Sequence, residues 1–220
     1  MNELDLEPPR CEETPVEERT RALASVFVKL QSGYDISRKE INRAKREGRY
    51  DQVEGLGYGE VDVEAFGTYI RCLPLVKEHG VFVDMGSGSG KAVLAAAFSG
   101  RFSQSVGVEI LEPLHRLAQE AQGRAVEIDG QSASIAQFEL GDIFSKEDLW
   151  KAADVLLVTC TLFTDDMMQR LENMVARLIR PGTIVITTTR PLNNPRARKL
   201  SEGRIKYAKG SLLFIVYLMH

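Results

Sequence analysis

One segment concentrates residues able to do chemistry: Asp84-Met85-Gly86-Ser87-Gly88-Ser89-Gly90-Lys91, directly after the apolar run Val81-Phe82-Val83. Glycine-rich loops behind a strand serve several chemistries, and spacing separates them. A phosphate-cradling P-loop needs Gly five residues before the Gly of its Gly-Lys pair, and Ser or Thr after the pair. Met85 and Ala92 hold those places, which excludes that loop despite Gly90-Lys91. A dinucleotide fingerprint needs a further Gly or Ala three residues after its second Gly, where this chain has Lys91 or Val93 depending on the starting glycine. Asp84 at the strand tip would also repel a pyrophosphate. A carboxylate there suits a ligand presenting positive charge, such as the ammonium and sulfonium of S-adenosylmethionine. The plainer alternative is a tight turn behind a strand-end Asp.

Two further acids occupy matched places. Gly107-Val108-Glu109 ends a second apolar run, where a carboxylate can accept from both ribose hydroxyls of a nucleoside. Gly141-Asp142-Ile143 follows a third, where Asp142 can accept from an adenine amino group while Ile143 packs on the ring. Each acid alone reads as a solvated loop residue. Placed after three successive strands, they read together as a nucleoside site.

The elements that must position these residues follow from periodicity. Thr14-Pro15-Val16-Glu17 is a capping-box pattern, and Leu23, Val26, Phe27 and Leu30 recur at helical spacing, which predicts a helix over about 15–31. Ser37 with Glu40 offers a second box for a shorter basic helix that Gly48 would stop. Val63, Phe66, Ile70 and Leu73 mark another helix, interrupted by Pro74. The runs VFVDM, QSVGVE, AQFEL, DVLLV and TIVITTT then read as buried strands, with helices at about 90–99, 112–126 and 165–178. Wholly apolar strands alternating with helices imply an α/β fold with a mostly parallel sheet covered on both faces. The final SLLFIVYLM follows a loop with no clear helix and is expected to return antiparallel, at an edge or beside a neighbour.

Composition sets bounds. The 220 residues, 24.5 kDa, are 44% hydrophobic and 27% charged, which suits one generous globular domain and neither a fibrous repeat nor wholesale disorder. The longest apolar run, Leu212 to Met219, is far below the ~18 residues of a membrane span, and the acidic N-terminus lacks a signal-peptide core, so a soluble intracellular chain is expected. Cys11, Cys72 and Cys160 form no CxxC pair and His79, His115 and His220 show no ligand spacing, so no metal is expected. The net charge of −3 hides segregation: residues 1–18 hold seven acids and one base, residues 36–49 six bases and two acids, and residues 190–209 seven bases and one acid. The two basic segments are candidate footprints for a polyanion, or simply solvated faces.

The order and spacing of YGEVDVEAF, VFVDMGSGSGKAVLAAA, VGVEILEP, FELGD, DVLLVTCTLFTDDMMQRL and RPGTIVITTTRPL, over about Tyr58 to Leu192, resemble a known family. They look like the class I S-adenosylmethionine-dependent methyltransferases of the disruptor-of-telomeric-silencing type, the histone lysine methyltransferases that lack a SET domain. The resemblance implies a seven-stranded Rossmann-like sheet with helices on both faces over residues 58–220; ahead of it, charge and periodicity suggest a flexible acidic tail at 1–13 and a helical extension at 14–57. It implies that Asp84, Gly86, Ser87, Gly88, Gly90, Glu109, Asp142, Ile143 and Thr159 hold S-adenosylmethionine, with Tyr58 and Glu60 closing over its methionine end. In that family two asparagines and an aromatic follow the fourth strand; Thr159, Cys160 and Thr161 stand here, with Phe163 matching the aromatic. Tyr217 is the nearest counterpart of a tyrosine near the last strand. Thr159, Phe163 and Tyr217 are therefore the candidate catalytic residues.

The chemistry of the acceptor is consistent with this. A lysine, with pKa ~10.4, must lose a proton before attacking the methyl, and an apolar channel that disfavours the ammonium assists. Thr159, Leu162 and Phe163 would line such a channel, whereas enzymes acting on exocyclic or amide nitrogens resemble one another in an Asn or acid followed by Pro-Pro and an aromatic, which TCTLF is not. The expectation is a protein lysine methyltransferase, acting on a histone or nucleosome through segments 36–49 and 190–209 and so nuclear. The alternatives are a non-histone or small-molecule methyltransferase, cytoplasmic, and a catalytically impaired adaptor that only binds the cofactor.

Overall fold

The computed structural model describes residues 15–49, 56–207 and 210–220. Short apolar runs able to bury both faces become strands: β1 (Gly80–Met85), β2 (Phe102–Glu109), β3 (Ala136–Leu140), β4 (Val155–Val158), β5 (Ile184–Thr188), β6 (Ala197–Tyr207) and β7 (Gly210–Met219). They form one sheet in the order β3-β2-β1-β4-β5-β7-β6. The first five are parallel, and β7 runs antiparallel to both β5 and β6. This is the mostly parallel, seven-stranded Rossmann-like architecture expected of the sequence.

Helices α1 (Pro15–Val28), α2 (Gly33–Glu47), α3 (Val63–Arg71), α4 (Lys91–Phe98), α5 (Glu112–Ala125), α6 (Gly130–Ser134), α7 (Glu147–Ala152) and α8 (Asp165–Leu178) cover the sheet. Strand side chains alternate, so each face has its own core. On one face Phe82, Leu157, Ile186 and Phe214 pack against Leu23 of α1, Phe66 and Ile70 of α3, and α4. Every residue of α4 from Ala92 to Phe98 is buried, as expected of a helix apolar all round. On the other face Val83, Met85, Leu156 and Val185 meet Trp150 of α7 and Leu171 and Val175 of α8. A third cluster, Leu111, Leu114 and Leu117 with Ile36, Ile41, Leu56 and Tyr58, fastens α2 to α5.

Three expectations need correction. The second helix begins at Gly33, with Ser37 and Glu40 buried inside it instead of forming a cap box. The reason is tertiary: Gly33 lies so close to Tyr58 and Glu60 that a Cβ would collide with the Tyr58 hydroxyl, a contact local pattern cannot reveal. Gly48 does end the helix, in a left-handed conformation, with the cap N–H bonded to the Ala44 carbonyl. The first helix stops at Val28, short of its apolar pattern, and the Thr14 of its capping box lies outside the described residues, as do residues 1–13. Strand β6 was not anticipated. As an edge strand it keeps most side chains in solvent, so charges hide its period, and β7 accordingly lies inside the sheet beside β5. Among the described residues no helix is long and apolar enough to cross a membrane.

Strand order reverses at β1, which pairs with β2 on one side and β4 on the other. In such sheets ligands bind beyond the carboxyl ends of the strands at the reversal. Phe214 of β7 pairs with Thr188 at the end of β5, and Tyr207 pairs with Gly210 where β6 meets β7. The end of β6 and the start of β7 therefore lie at the same edge of the sheet.

Candidate active site

Beyond Met85 the chain turns through Gly86, Gly88 and Gly90 at φ of 104°, 54° and 83° before entering α4. These left-handed conformations favour glycine, and the space demands it as well: a Cβ on Gly90 would lie 2.7 Å from the Phe138 ring, and one on Gly88 2.7 Å from the Tyr58 ring. Glu109 braces the loop from the neighbouring strand tip. Its Oε2 accepts from the Gly88 N–H at 2.7 Å and its Oε1 from the Leu111 N–H at 2.8 Å. Burial pushes its carboxyl pKa up, and the backbone donors pull it back.

Asp84 is only 3% exposed, and its Oδ1 has no hydrogen-bond partner; the Ser87 Oγ beside it is likewise buried and unpartnered. Burial, then the charge of Glu109, pushes the Asp84 pKa up to about 8. Orphaned buried polar atoms are expensive, ~1–3 kcal/mol each, unless a ligand satisfies them. A carboxylate in that position asks for donors carrying positive charge.

A cavity of about 380 Å³ opens over the tips of β2, β3 and β4. Glu109, Ile110, Leu111 and Leu114 form one wall, Asp142, Ile143, Phe144, Met167 and Arg170 another, and Gly86, Tyr58, Thr159 and Phe163 the far end. Its size and its mixed lining, apolar side chains with a few directed polar groups, suit a nucleoside. Asp142 uses Oδ1 to cap the short 3-10 turn Ile143–Ser145, accepting from the Phe144 N–H at 2.9 Å, while Oδ2 lies 3.9 Å from Arg170. The Arg170 guanidinium sits 4.0 Å above the Phe144 ring. Neither Arg170 nor Phe144 was singled out by sequence reasoning.

Past Tyr58, Gly86 and Thr159 a small space of about 20 Å³ continues to Asp84, Ser87, Glu60, Lys91 and Tyr207. Side chains nearly fill it. Glu60 accepts from the Tyr58 hydroxyl and from Lys91 Nζ at 2.7 Å, and Tyr34 of α2 meets the Tyr58 ring edge-on at 5.2 Å. Burial pushes the Tyr58 and Tyr207 pKa values up, so both remain neutral hydroxyls.

The candidate residues thus fall into two groups. Tyr58, Glu60, Asp84, Gly86, Ser87, Glu109, Asp142, Ile143, Thr159 and Phe163 surround these two connected spaces, with Gly88 and Gly90 in the loop beneath. Phe163 is set by its N–H bond to the Cys160 carbonyl and by Thr164, which caps α8 by accepting from the Met167 N–H at 3.2 Å. Cys160 instead faces the core, its Sγ 3.2 Å from the Thr188 carbonyl, and the Thr161 hydroxyl bonds those of Thr188 and Thr189. Leu162, 56% exposed, lies over Gly57 outside the cavity.

Tyr217 is a correction. It pairs laterally with Val185, three residues or ~10 Å back from the strand tip, and its hydroxyl accepts from the buried Leu192 N–H at 3.0 Å. It belongs to the core on the α8 face. The tyrosine at the site is Tyr207, which lines the small space with Asp84 and Thr159. Reading β6 as a strand would have exposed it, since the pairing of Tyr207 with Gly210 puts Tyr207 at the ligand edge.

Sheet order, glycine loop and three strand-tip carboxylates define a class I methyltransferase architecture. A protein-family model described as "Histone methylation protein DOT1" matches residues 38–208. The chain belongs to that family; it is an S-adenosylmethionine-dependent methyltransferase, and S-adenosylmethionine is its cofactor. Among solved structures it is similar to the O-methyltransferase from Bacillus cereus in complex with SAH, at 13% identity over 93% of this chain and 100% of that one, TM-score 0.52. It is also similar to TrmN from Thermus thermophilus, at 16% identity over 83% of this chain and 53% of that one, TM-score 0.54. At such identities the likeness concerns the fold. A search of curated protein sequences finds no match.

The residues present fit the cofactor. Asp84 and Ser87 offer unsatisfied polar atoms, Glu109 and Asp142 face the larger cavity, and the neighbouring glycines leave room for a ligand against the backbone.

Proposed function

We propose that the chain is a protein lysine N-methyltransferase of histone type. The observation that carries this reading is the wall at the inner end of the cavity: Thr159 and Phe163, with Tyr207 behind Thr159, present an aromatic ring and neutral hydroxyls. The bound cofactor supplies an electrophilic methyl on a cationic sulfur. Glu109 and Asp142 are placed to hold its adenosyl end, and Asp84, Ser87, Tyr58 and Glu60 its amino-acid end. Positioning then supplies most of the acceleration, since in-line displacement needs alignment and a free lone pair. Phe163 disfavours an ammonium by excluding water, and the Thr159 and Tyr207 hydroxyls orient the neutral amine. Cys160 and Thr161 point away from the cavity, so their departure from the family pattern leaves this wall intact.

The family description supports a histone acceptor and hence a nuclear location. In α2, Lys39, Lys45 and Arg46 are exposed and form no ion pair among the described residues, which suits a nucleosomal polyanion. A second reading, a non-histone or small-molecule acceptor, is favoured by the other basic segment. Arg190 is bonded to the Phe163 carbonyl and Asp165, Arg196 to three carbonyls, and Lys206 to Asp62, so much of that charge serves the fold. Tritium transfer from labelled cofactor to nucleosomes, free histones and a cell lysate separates the readings. Label on nucleosomal lysine is expected; label only on other acceptors replaces it with the second reading, and cofactor binding with no label anywhere leaves a non-catalytic adaptor.

A further inference from the structure

Lys91 stands in the sequence where a dinucleotide fingerprint needs a small residue, and among the described residues it is the one cation lining the small space beyond Tyr58. It opens α4, where the positive end of the helix dipole disfavours a cation. Glu60 offsets this through an ion pair at 2.7 Å, with the two side chains only 18% and 12% exposed. The α4 start is further unusual in that its cap, Gly90, offers no side-chain acceptor to the first helical N–H groups. Asp84 Oδ1 and Ser87 Oγ, both more than nine-tenths buried, line the same space without partners. The space holds two carboxyl groups and one ammonium, and in its closed form it leaves about 20 Å³.

Resting on the cofactor assignment, we infer that Lys91 reads the carboxylate of the donor's amino-acid end, and that the Glu60–Lys91 pair is the closed form of that subsite. An α-amino acid group carries one ammonium and one carboxylate. On entry, Lys91 exchanges Glu60 for the ligand carboxylate, while Glu60 and Asp84 take the ligand ammonium. Every buried charge keeps an opposite neighbour throughout, which is the condition under which charges tolerate a desolvated site. A ligand lacking the carboxylate forces a choice: Lys91 stays on Glu60 and the subsite stays shut, or it opens and leaves Lys91 unpaired. Lys91 is thereby a specificity-determining residue for donors with an intact amino-acid end.

The test is calorimetric titration of the full chain and of Lys91→Met with three ligands: S-adenosylhomocysteine, its decarboxylated analogue, and 5′-methylthioadenosine, which has neither amino-acid charge. The unaltered chain is expected to prefer S-adenosylhomocysteine over the decarboxylated analogue by about thirty-fold, the scale of a hydrogen-bonded charge pair. Lys91→Met should bring those two within about three-fold of each other and leave 5′-methylthioadenosine unchanged, which also reports that the variant is folded. Lys91→Arg should restore most of the preference. Equal affinity of the unaltered chain for the first two ligands overturns the inference, as does a Lys91→Met variant that weakens all three alike. If the unaltered chain binds none of the three, the cofactor assignment fails and takes the inference with it.

Discussion

The two halves of the site are built in different ways. The adenosyl half rests on main chain: Glu109 and Asp142 stand at the tips of adjacent parallel strands, Glu109 with both carboxylate oxygens and Asp142 with one accepting from backbone N–H groups. Strand register alone brings them together, since Glu109 pairs with Leu140. The methyl half rests on side chains from distant segments, with Tyr58 and Glu60 ahead of the sheet, Lys91 at the start of α4 and Tyr207 at the end of β6. The first half is a roomy cavity of about 380 Å³ and the second is nearly filled by side chains. Preorganised backbone binds with little rearrangement, whereas interlocked side chains must exchange partners, so the two halves should respond differently to the same perturbation.

The largest expected contrast comes from one substitution made twice. Gly90→Ala places a Cβ at φ 83°, 2.7 Å from the Phe138 ring and 3.0 Å from Ala118, both held by the sheet and α5. Left-handed strain of ~1–2 kcal/mol and overpacking of ~1–3 kcal/mol add to a loss of about 2–5 kcal/mol in chemical denaturation. Gly88→Ala carries similar backbone strain, but its Cβ meets only the Tyr58 ring. We expect a loss of ~1–2 kcal/mol in stability, with the main effect on cofactor affinity as Tyr58 is displaced. Equal stability losses would erase the distinction between a rigid and a yielding half.

Glu109→Ala should weaken cofactor binding by ~1–3 kcal/mol, because it removes the ribose acceptor and releases the Gly88 and Leu111 N–H groups that shape the loop. Unchanged affinity by calorimetry would refute the placement of the ribose there. The paired tyrosines sharpen the other half. Tyr217→Phe orphans the buried Leu192 N–H and should cost about 1 kcal/mol in thermal stability with kcat preserved. Tyr207→Phe should do the reverse, lowering kcat about ten-fold on whichever acceptor takes the tritium label, at little cost in stability.

The same division governs what the sequence made legible. Glycine-loop, strand-tip acids and buried strands were readable because each depends on neighbours close in the chain: Asp84 ends its strand, Glu109 ends the next, and the wholly apolar runs between turn signals have few other outcomes. Tyr58 and Glu60 were reached through resemblance, not pattern, because nothing local marks a strap that folds over a loop thirty residues away. β6 was missed because an edge strand need not alternate cleanly, and with it Tyr207 was lost to Tyr217, the tyrosine inside the legible apolar run. Gly33 gives no sign in sequence of its contact with Tyr58, so the Ser37 box places the start of α2 five residues late. Local chemistry survives in sequence, while long-range side-chain contacts between segments do not.

The smallest effect bears on Asp84 in the methyl half. An ordinary aspartate ionises near pH 4, whereas burial and the charge of Glu109 raise Asp84 to about 8. Below about pH 4 both folded and unfolded chains hold this proton and pH has no effect through it. Between about 4 and about 8 the unfolded chain releases it and the folded chain keeps it, so stability without ligand should fall as pH rises, then level off. A ligand bearing positive charge reverses the preference by favouring the ionised carboxylate. At pH 7 S-adenosylmethionine should therefore displace a fraction of a proton, approaching one, read as a dependence of the binding heat on the ionisation enthalpy of the buffer. The release should vanish above about pH 9 and in Asp84→Asn, and should be much smaller with 5′-methylthioadenosine, which brings no charge to the methyl half. Release that persists in Asp84→Asn would assign the proton to another group and would place the charge recognition of this site elsewhere than at the tip of β1.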